Sequence, residues 1–314
     1  MTIVNEDQKF AQLAQVLAPQ SKLLRTWSLK GGISAEMTAF AFEQPDGQTR
    51  QMIVRRPSAS TLQRNPQAAQ DEFRLLQLAH GLGLATPAPY YVDPSGQLFD
   101  TPYLVIEYIE GKPEFAPVAV ADYVFQAVTH LAQIHSVDST KLDLTFLPQQ
   151  TAGLSKRPPT LNETLAEGRI RARLEAVWPL AACNGPVLLH GDFWPGNLLW
   201  QAGKLVAVID WEDATVGDPL MDLAISRLDM VCIFGVEAMQ AFTRHYQARR
   251  PIDYTHLPDW DLYAALRFIR LAGDDLAAWA AFYPPFGRPD ITEQTLRSHY
   301  QFFITQAFEQ LGAV

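Results

Sequence analysis

Residues 188–200 read LLHGDFWPGNLLW, which sets His190, Asp192 and Asn197 in a short polar insert between two apolar triplets. Pro195 and Gly196 force a turn there, and the flanks have the pattern of short buried strands. Polar groups anchored on both sides in this way are held rigidly. A second run, KLVAVIDWEDATVGDPLMDLA, places Asp210 at the end of an apolar strand, with Asp218 and Asp222 flanking the start of a helix. If the apolar runs near 188 and 208 pair as a hairpin ladder, Asp192, Asn197 and Asp210 enter one pocket. A carboxylate and an amide oxygen, with no thiolate, suit a hard cation such as magnesium. A second carboxylate, left off the metal, can then orient a hydroxyl.

Two kinds of element are needed to position these groups. Upstream, after an amphipathic helix over 6–18, the segments KLLRTWSLK, EMTAFAFEQ and TRQMIVRRP carry β-type residues in near alternation, with the turn PDG at 45–47. They predict an antiparallel meander. A helix follows, with Asn65 as N-cap, Pro66 in first position and a stop at Gly81 or Gly83. APYYVD and PYLVIEYIEG add two more strands, and EGKPE at 110–114 reads as a linker. Beyond it the chain turns mostly helical, with apolar residues in helical spacing over 124–134, 162–178 and 259–283.

The pattern His190-Gly191-Asp192, four residues, then Asn197 matches a loop used in phosphoryl transfer. With HGDxxxxN and IDWxxxxxGDPxxDLA in this order, the chain resembles the aminoglycoside phosphotransferase-like small-molecule kinases, a family that includes choline, homoserine and methylthioribose kinases. The resemblance implies an α+β, bilobal protein-kinase-like fold: a β-rich nucleotide-binding lobe over 1–107, a hinge over 108–114 and a helical catalytic and acceptor-binding lobe over 115–314. It makes Asp192 the catalytic base, and Asn197 and Asp210 the magnesium ligands. His190 becomes structural, and Asp218 and Asp222 brace the loop. ATP is the implied donor, with GTP not excluded, and a small hydroxylated molecule is the implied acceptor.

Other positions carry over on thinner signals. In LKGGISAEM, Gly31 and Gly32 form a tight turn whose backbone N–H groups can face phosphate, with Ser34 beside them; a plain turn is the competing reading. Arg55 stands where these kinases usually carry a phosphate-binding lysine, and Glu72 is its expected partner. An ordinary surface charge pair is the alternative for these two. VIEYIEG presents the backbone of Glu107 and Ile109 to an adenine edge. His135 ends a helix or satisfies a core hydrogen bond. Along 259–283 the aromatic residues read as core, Asp274 pairs with Arg270, and Asp275, with no partner at 271 or 279, is the expected acceptor contact.

Composition narrows the alternatives. The net charge of -9, with 34 acids against 25 bases, argues against general nucleic-acid binding. Cys183 and Cys232 lack CxxC spacing and paired histidines, and read as buried thiols. No uncharged apolar run reaches membrane-spanning length and the N-terminus lacks a secretory pattern, so no membrane partner and a cytoplasmic location are expected. Residues 259–314 hold seven acids and four arginines, too mild an acidity to cage a polycation. Two other classes stay open: a nucleotide-binding pseudokinase acting through a partner, and a metallophosphoesterase, for which the chain lacks any D-x-H sequence.

Overall fold

A computed structural model describes residues 5–29, 35–150, 154, 156–181, 183–273 and 275–312. The chain divides into two compact units, Met1–Glu110 and Gly111–Val314.

In the first unit, α1 (Glu6–Leu17) precedes an antiparallel sheet of β1 (Lys22–Ser28), β2 (Ala35–Glu43), β3 (Thr49–Pro57), β4 (Pro89–Asp93) and β5 (Tyr103–Glu107). Strand order is β1-β2-β3-β5-β4. Alternation along β2 and β3 sends Phe40, Phe42, Met52 and Val54 to one core, where they meet Phe10 and Leu13 of α1. Between β3 and β4 run α2 (Ala59–Arg64) and α3 (Ala68–Gly81). Asn65 therefore closes α2 rather than capping the next helix; its side chain accepts the Gln67 amide and donates to Asp71. The X-Pro step at 65–66 disfavours helix at Asn65 and delays α3 to Ala68.

The second unit contains α4 (Val120–Ile134), α5 (Glu167–Val177), β6 (Val187–Leu189), β7 (Leu198–Gln201), β8 (Lys204–Val208), β9 (Thr215–Gly217), α6 (Leu220–Phe234), α7 (Val236–Arg249), α8 (Leu257–Ala272), α9 (Leu276–Ala280) and α10 (Glu293–Gln310). Its small sheets correct the expected hairpin. β6 pairs with β9, and β7 pairs with β8 across a tight turn, so the run at 188 never meets the run at 208. The expected helix over 259–283 is also two helices. Gly273, at φ 58 and ψ −135, ends α8 in a conformation closed to L side chains. Likewise the 162–178 segment is interrupted by left-handed Ala166 before α5. Cys232 is buried as expected, whereas Cys183 is exposed. Among the described residues no helix is long and apolar enough to cross a membrane.

Candidate active site

Two separate ladders place the polar loop. β6 delivers the chain into His190, β7 takes it away after Asn197, and the Ile209 amide donates to the Asn197 carbonyl at 2.9 Å. That bond extends the β7–β8 pairing by one step and sets Asp210 beside Asn197. His190 is fully buried and ties the two segments together. Its Nε2–H donates to the Ile209 carbonyl at 3.0 Å, and its Nδ1 accepts the Asp192 amide at 3.2 Å. Asp210 adopts φ 66, a left-handed conformation that Asp tolerates better than most residues.

The loop's entry is clamped from α6. Asp222, fully buried, accepts the amides of His190 at 2.7 Å and Gly191 at 2.9 Å. His135 Nε2–H donates to the same carboxylate at 3.1 Å, while Tyr246 donates its hydroxyl to His135 Nδ1 at 2.6 Å. Burial alone would raise the Asp222 carboxyl, but the hydrogen bonds from His135 and from the His190 amide hold it below the usual carboxylate range. Gly191 permits the clamp, since at φ 82 a Cβ there would overlap the Asp213 carbonyl. Asp218 acts elsewhere: its carboxylate accepts from Leu220 N and Asn184 Nδ2, and its amide donates to Gln150. It opens α6 and holds neighbouring segments, with no bond to the loop at 190–197.

Asp192 is half-buried, and each of its oxygens has a partner. Asn197 Nδ2 donates to Oδ2 and to the Asp192 carbonyl, both at 3.0 Å. Arg267 Nη2 donates to Oδ1 at 2.7 Å. Among the described residues no donor meets the Asn197 amide oxygen, which stays available to a cation. Asn197 and Asp210 together offer hard oxygen donors suited to magnesium. Among the described residues no group of three or more His, Cys, Asp or Glu is arranged to hold a metal. Magnesium commonly takes one or two protein oxygens and completes its shell with water and phosphate oxygens.

Arg267 was not legible in the sequence, nor were the two carboxylates near it, Asp213 and Asp229. Asp213 is raised mainly by burial, with Arg267 opposing and Asp192 and Asp210 reinforcing the rise. Asp229 lies seven residues after Asp222 on α6, and that helical spacing was the available signal. Asp275, by contrast, caps α9: its carboxylate accepts the Ala278 amide at 2.8 Å, and the residue is exposed. Its carboxylate therefore has a local partner at position 278, one that inspection of positions 271 and 279 does not show. Asp274 lies outside the described residues.

In the first unit, Arg55 Nε donates to Glu72 Oε2 at 2.9 Å, with side-chain exposures of 4% and 9%. The pair is buried, which removes the surface-pair alternative. Arg55 sits opposite Met37 in the β2–β3 register, and its Nη1 reaches the Met37 sulfur at 3.7 Å. The Glu107 amide is spent on the Ala88 carbonyl at 2.8 Å, while among the described residues no acceptor meets the Ile109 amide. Gly31, Gly32 and Ser34 lie outside the described residues.

Residues 30–266 match the family described as the phosphotransferase enzyme family, APH. Acyl-CoA dehydrogenase family member 10 of Mus musculus is 26% identical over 259 residues, which is 71% of this chain and 24% of the mouse protein. The chain thus spans well under two thirds of that relative's length. A probable ketoamine kinase of Lactiplantibacillus plantarum is 29% identical over 214 residues, covering 62% of this chain and 73% of that protein. Among solved structures, the choline kinase LicA of Streptococcus pneumoniae superposes with a TM-score of 0.58 at 16% identity, covering 98% of this chain and 99% of that one. The mixed α and β architecture is accordingly protein-kinase-like. With the family match running from the glycine-containing segment through the loop at 190–197 and Asp210 to the edge of Arg267, the chain belongs to the phosphotransferase enzyme family.

Proposed function

We propose that this protein transfers the γ-phosphoryl group of ATP to a hydroxyl of a small molecule. The observation that carries the reading is the convergence of Asp192, Asn197 and Asp210 through the bond from Ile209 N–H to the Asn197 carbonyl. Asp192 is the group that receives the acceptor's proton, and Asn197 orients it by donating to Oδ2. Arg267 holds the other oxygen, so the carboxylate is aimed before an acceptor arrives. Asn197 and Asp210 would hold magnesium, which when bound neutralises charge on the phosphates.

In the first unit, Arg55 is proposed to contact phosphate oxygens, with Glu72 fixing its fork. The Ile109 amide is proposed to donate to the base, with the Glu107 backbone beside it. The alternative is a nucleotide-binding pseudokinase, favoured by arginine in place of the usual lysine at position 55. A screen for ADP release with hydroxylated metabolites, aminoglycosides and macrolides tests the reading. Acceptor-dependent ADP release supports turnover; nucleotide binding without release under any acceptor supports the pseudokinase. Calorimetry on Asp210→Ala adds a check on the metal: nucleotide affinity should fall with magnesium present and stay nearly unchanged without it. Equal losses in both conditions make Asp210 structural.

A further inference from the structure

The second unit holds a cavity of about 450 Å³, lined from α6, α7, α10 and residues 254–258. Among the described residues that line it, the charged ones are two arginines, Arg227 and Arg244, with no Asp or Glu. This locally reverses the chain's net charge of -9.

Arg227, on α6, is 3% exposed. Its Nε donates to Asp261 Oδ1 at 3.0 Å, its Nη2 to Asp261 Oδ2 at 2.9 Å and its Nη1 to the Thr243 hydroxyl. Thr243 in turn donates to the Met239 carbonyl at 2.8 Å, so it meets Arg227 purely as an acceptor. A guanidinium carries five N–H groups. Two are therefore left, one on each terminal nitrogen, and among the described residues no acceptor meets them. Donors left at both tips of a buried fork match a carboxylate, which accepts two parallel N–H bonds.

Arg244, on α7, is exposed and has no hydrogen bond or ion pair to any described residue. The positions three and four away on its helix hold Gln240, Ala241, Gln247 and Ala248, so α7 offers it no carboxylate. Asp261 balances Arg227, which leaves Arg244 as the uncompensated charge of the lining. Buried Met239, Leu257 and Pro258 add apolar surface to the same cavity. One net positive charge, a fork with spare donors and an apolar lining together fit a monoanion with an apolar body.

We propose that this cavity binds a small monocarboxylic acid, its carboxylate held by Arg244 and the two spare N–H groups of Arg227, and its apolar body lying against Met239 and Leu257. The site is distinct from the loop at 190–197, although consecutive residues of α6 serve the two: Ser226 Oγ donates to the Phe193 carbonyl at 2.8 Å, and Arg227 lines the cavity. The proposal does not rest on the phosphotransferase reading, and it is tested without nucleotide.

Three probes separate the possibilities: 3-phenylpropionate, its neutral analogue 3-phenylpropionamide, and inorganic phosphate. Each is titrated by calorimetry at pH 7 and fixed ionic strength. The wild type should bind one 3-phenylpropionate per chain, about tenfold or more tighter than either of the others. Arg244→Gln should weaken binding of the acid about tenfold, the scale of one charge-assisted hydrogen bond, and leave the amide unchanged. Gln247→Trp, which sets a large ring at an exposed lining position, should abolish binding of the acid. Asp192→Asn, outside the cavity, should bind it as the wild type does. No binding of 3-phenylpropionate by the wild type rejects the site. Equal affinity for acid and amide makes the cavity an apolar recess without anion recognition, and tighter binding of phosphate makes it a site for a different anion; either overturns the proposal. Binding that survives both Arg244→Gln and Gln247→Trp lies elsewhere on the molecule, and binding lost in Asp192→Asn lies at the loop; both outcomes overturn it as well.

Discussion

The two units hold their candidate reactive groups differently: Arg55 by a buried ion pair, Asp192 by a more exposed one together with bonds to its backbone. In the first, Arg55 is fixed by a direct, buried ion pair to Glu72. In the second, the Asp192 side chain is 26% exposed, and much of its placement comes through the backbone: Asp222 grips the amides of His190 and Gly191, and His190 grips the Asp192 amide. The contrast has a practical meaning. A buried pair cannot lose one member without stranding the other's charge, so changing Arg55 tests stability and chemistry together. A side chain placed by its backbone can be changed with the fold intact.

The sharpest way to break this comparison is Asp192→Asn. If the loop is held by its backbone, this isosteric change leaves thermal stability nearly unaltered, while phosphoryl transfer falls by ~10²–10⁴, the usual worth of a positioned base. Unfolding of this variant would place Asp192 in the same class as Arg55. Next in size is Asp222→Ala, which strands two buried amides and His135 and should cost about 3–5 kcal/mol in chemical denaturation. Asp222 also predicts a pH dependence. Because its folded-state carboxyl is held below the ordinary value, its contribution is complete above that value, about 3.9, and is lost as pH falls through the lower folded one. Asp222→Asn should therefore flatten the acid limb of the stability curve.

For the first unit, Arg55→Ala and Glu72→Ala should each destabilise strongly, and the double variant should show ~0.5–3 kcal/mol of coupling in a denaturation cycle. Strict additivity would mean that the two side chains are held independently. Arg267→Gln makes a smaller change, because Arg267 is 20% exposed and Asp192 keeps its bond to Asn197. It should lower kcat by about tenfold without moving the KM for ATP, the signature of a group that positions rather than binds nucleotide. The smallest effect belongs to Asp275. As an N-cap, Asp275→Ala should cost about 0.5–2 kcal/mol in stability, Asp275→Asn should cost almost nothing, and acceptor kcat/KM should be unchanged in both. A selective loss of acceptor kcat/KM in Asp275→Asn would return it to the acceptor site.

Much of the architecture was legible because it is written in local periodicity. Alternation in MIVRRP placed a strand at β3, and helical spacing placed Glu72 on the face of α3 that reaches Arg55. The loop itself stood out because Pro195, Gly196 and the polar residues leave little choice between two apolar flanks. The strand pairing was not legible. The same apolar triplet at 187–189 can ladder with 204–208 or with 215–217, and local pattern carries no information about which partner wins. The break at Gly273 was missed since one glycine within apolar periodicity is compatible with a continuous helix.

By itself, then, the sequence determined which residues are candidates for the chemistry: Asp192, Asn197 and Asp210 stand out by type and spacing along the chain, with His190 beside them as a structural residue. What only the tertiary structure decided is what touches them. Arg267 meets Asp192 across 75 positions, His135 meets Asp222 across 87, and the Asp229 carboxyl is raised by burial, with Asp192 reinforcing and Arg267 opposing the rise. The physical reason is one of range. Turn chemistry and periodicity act over a few residues, whereas hydrogen bonds, burial and charge are set by which helix faces pack together, and that is decided by the whole core at once.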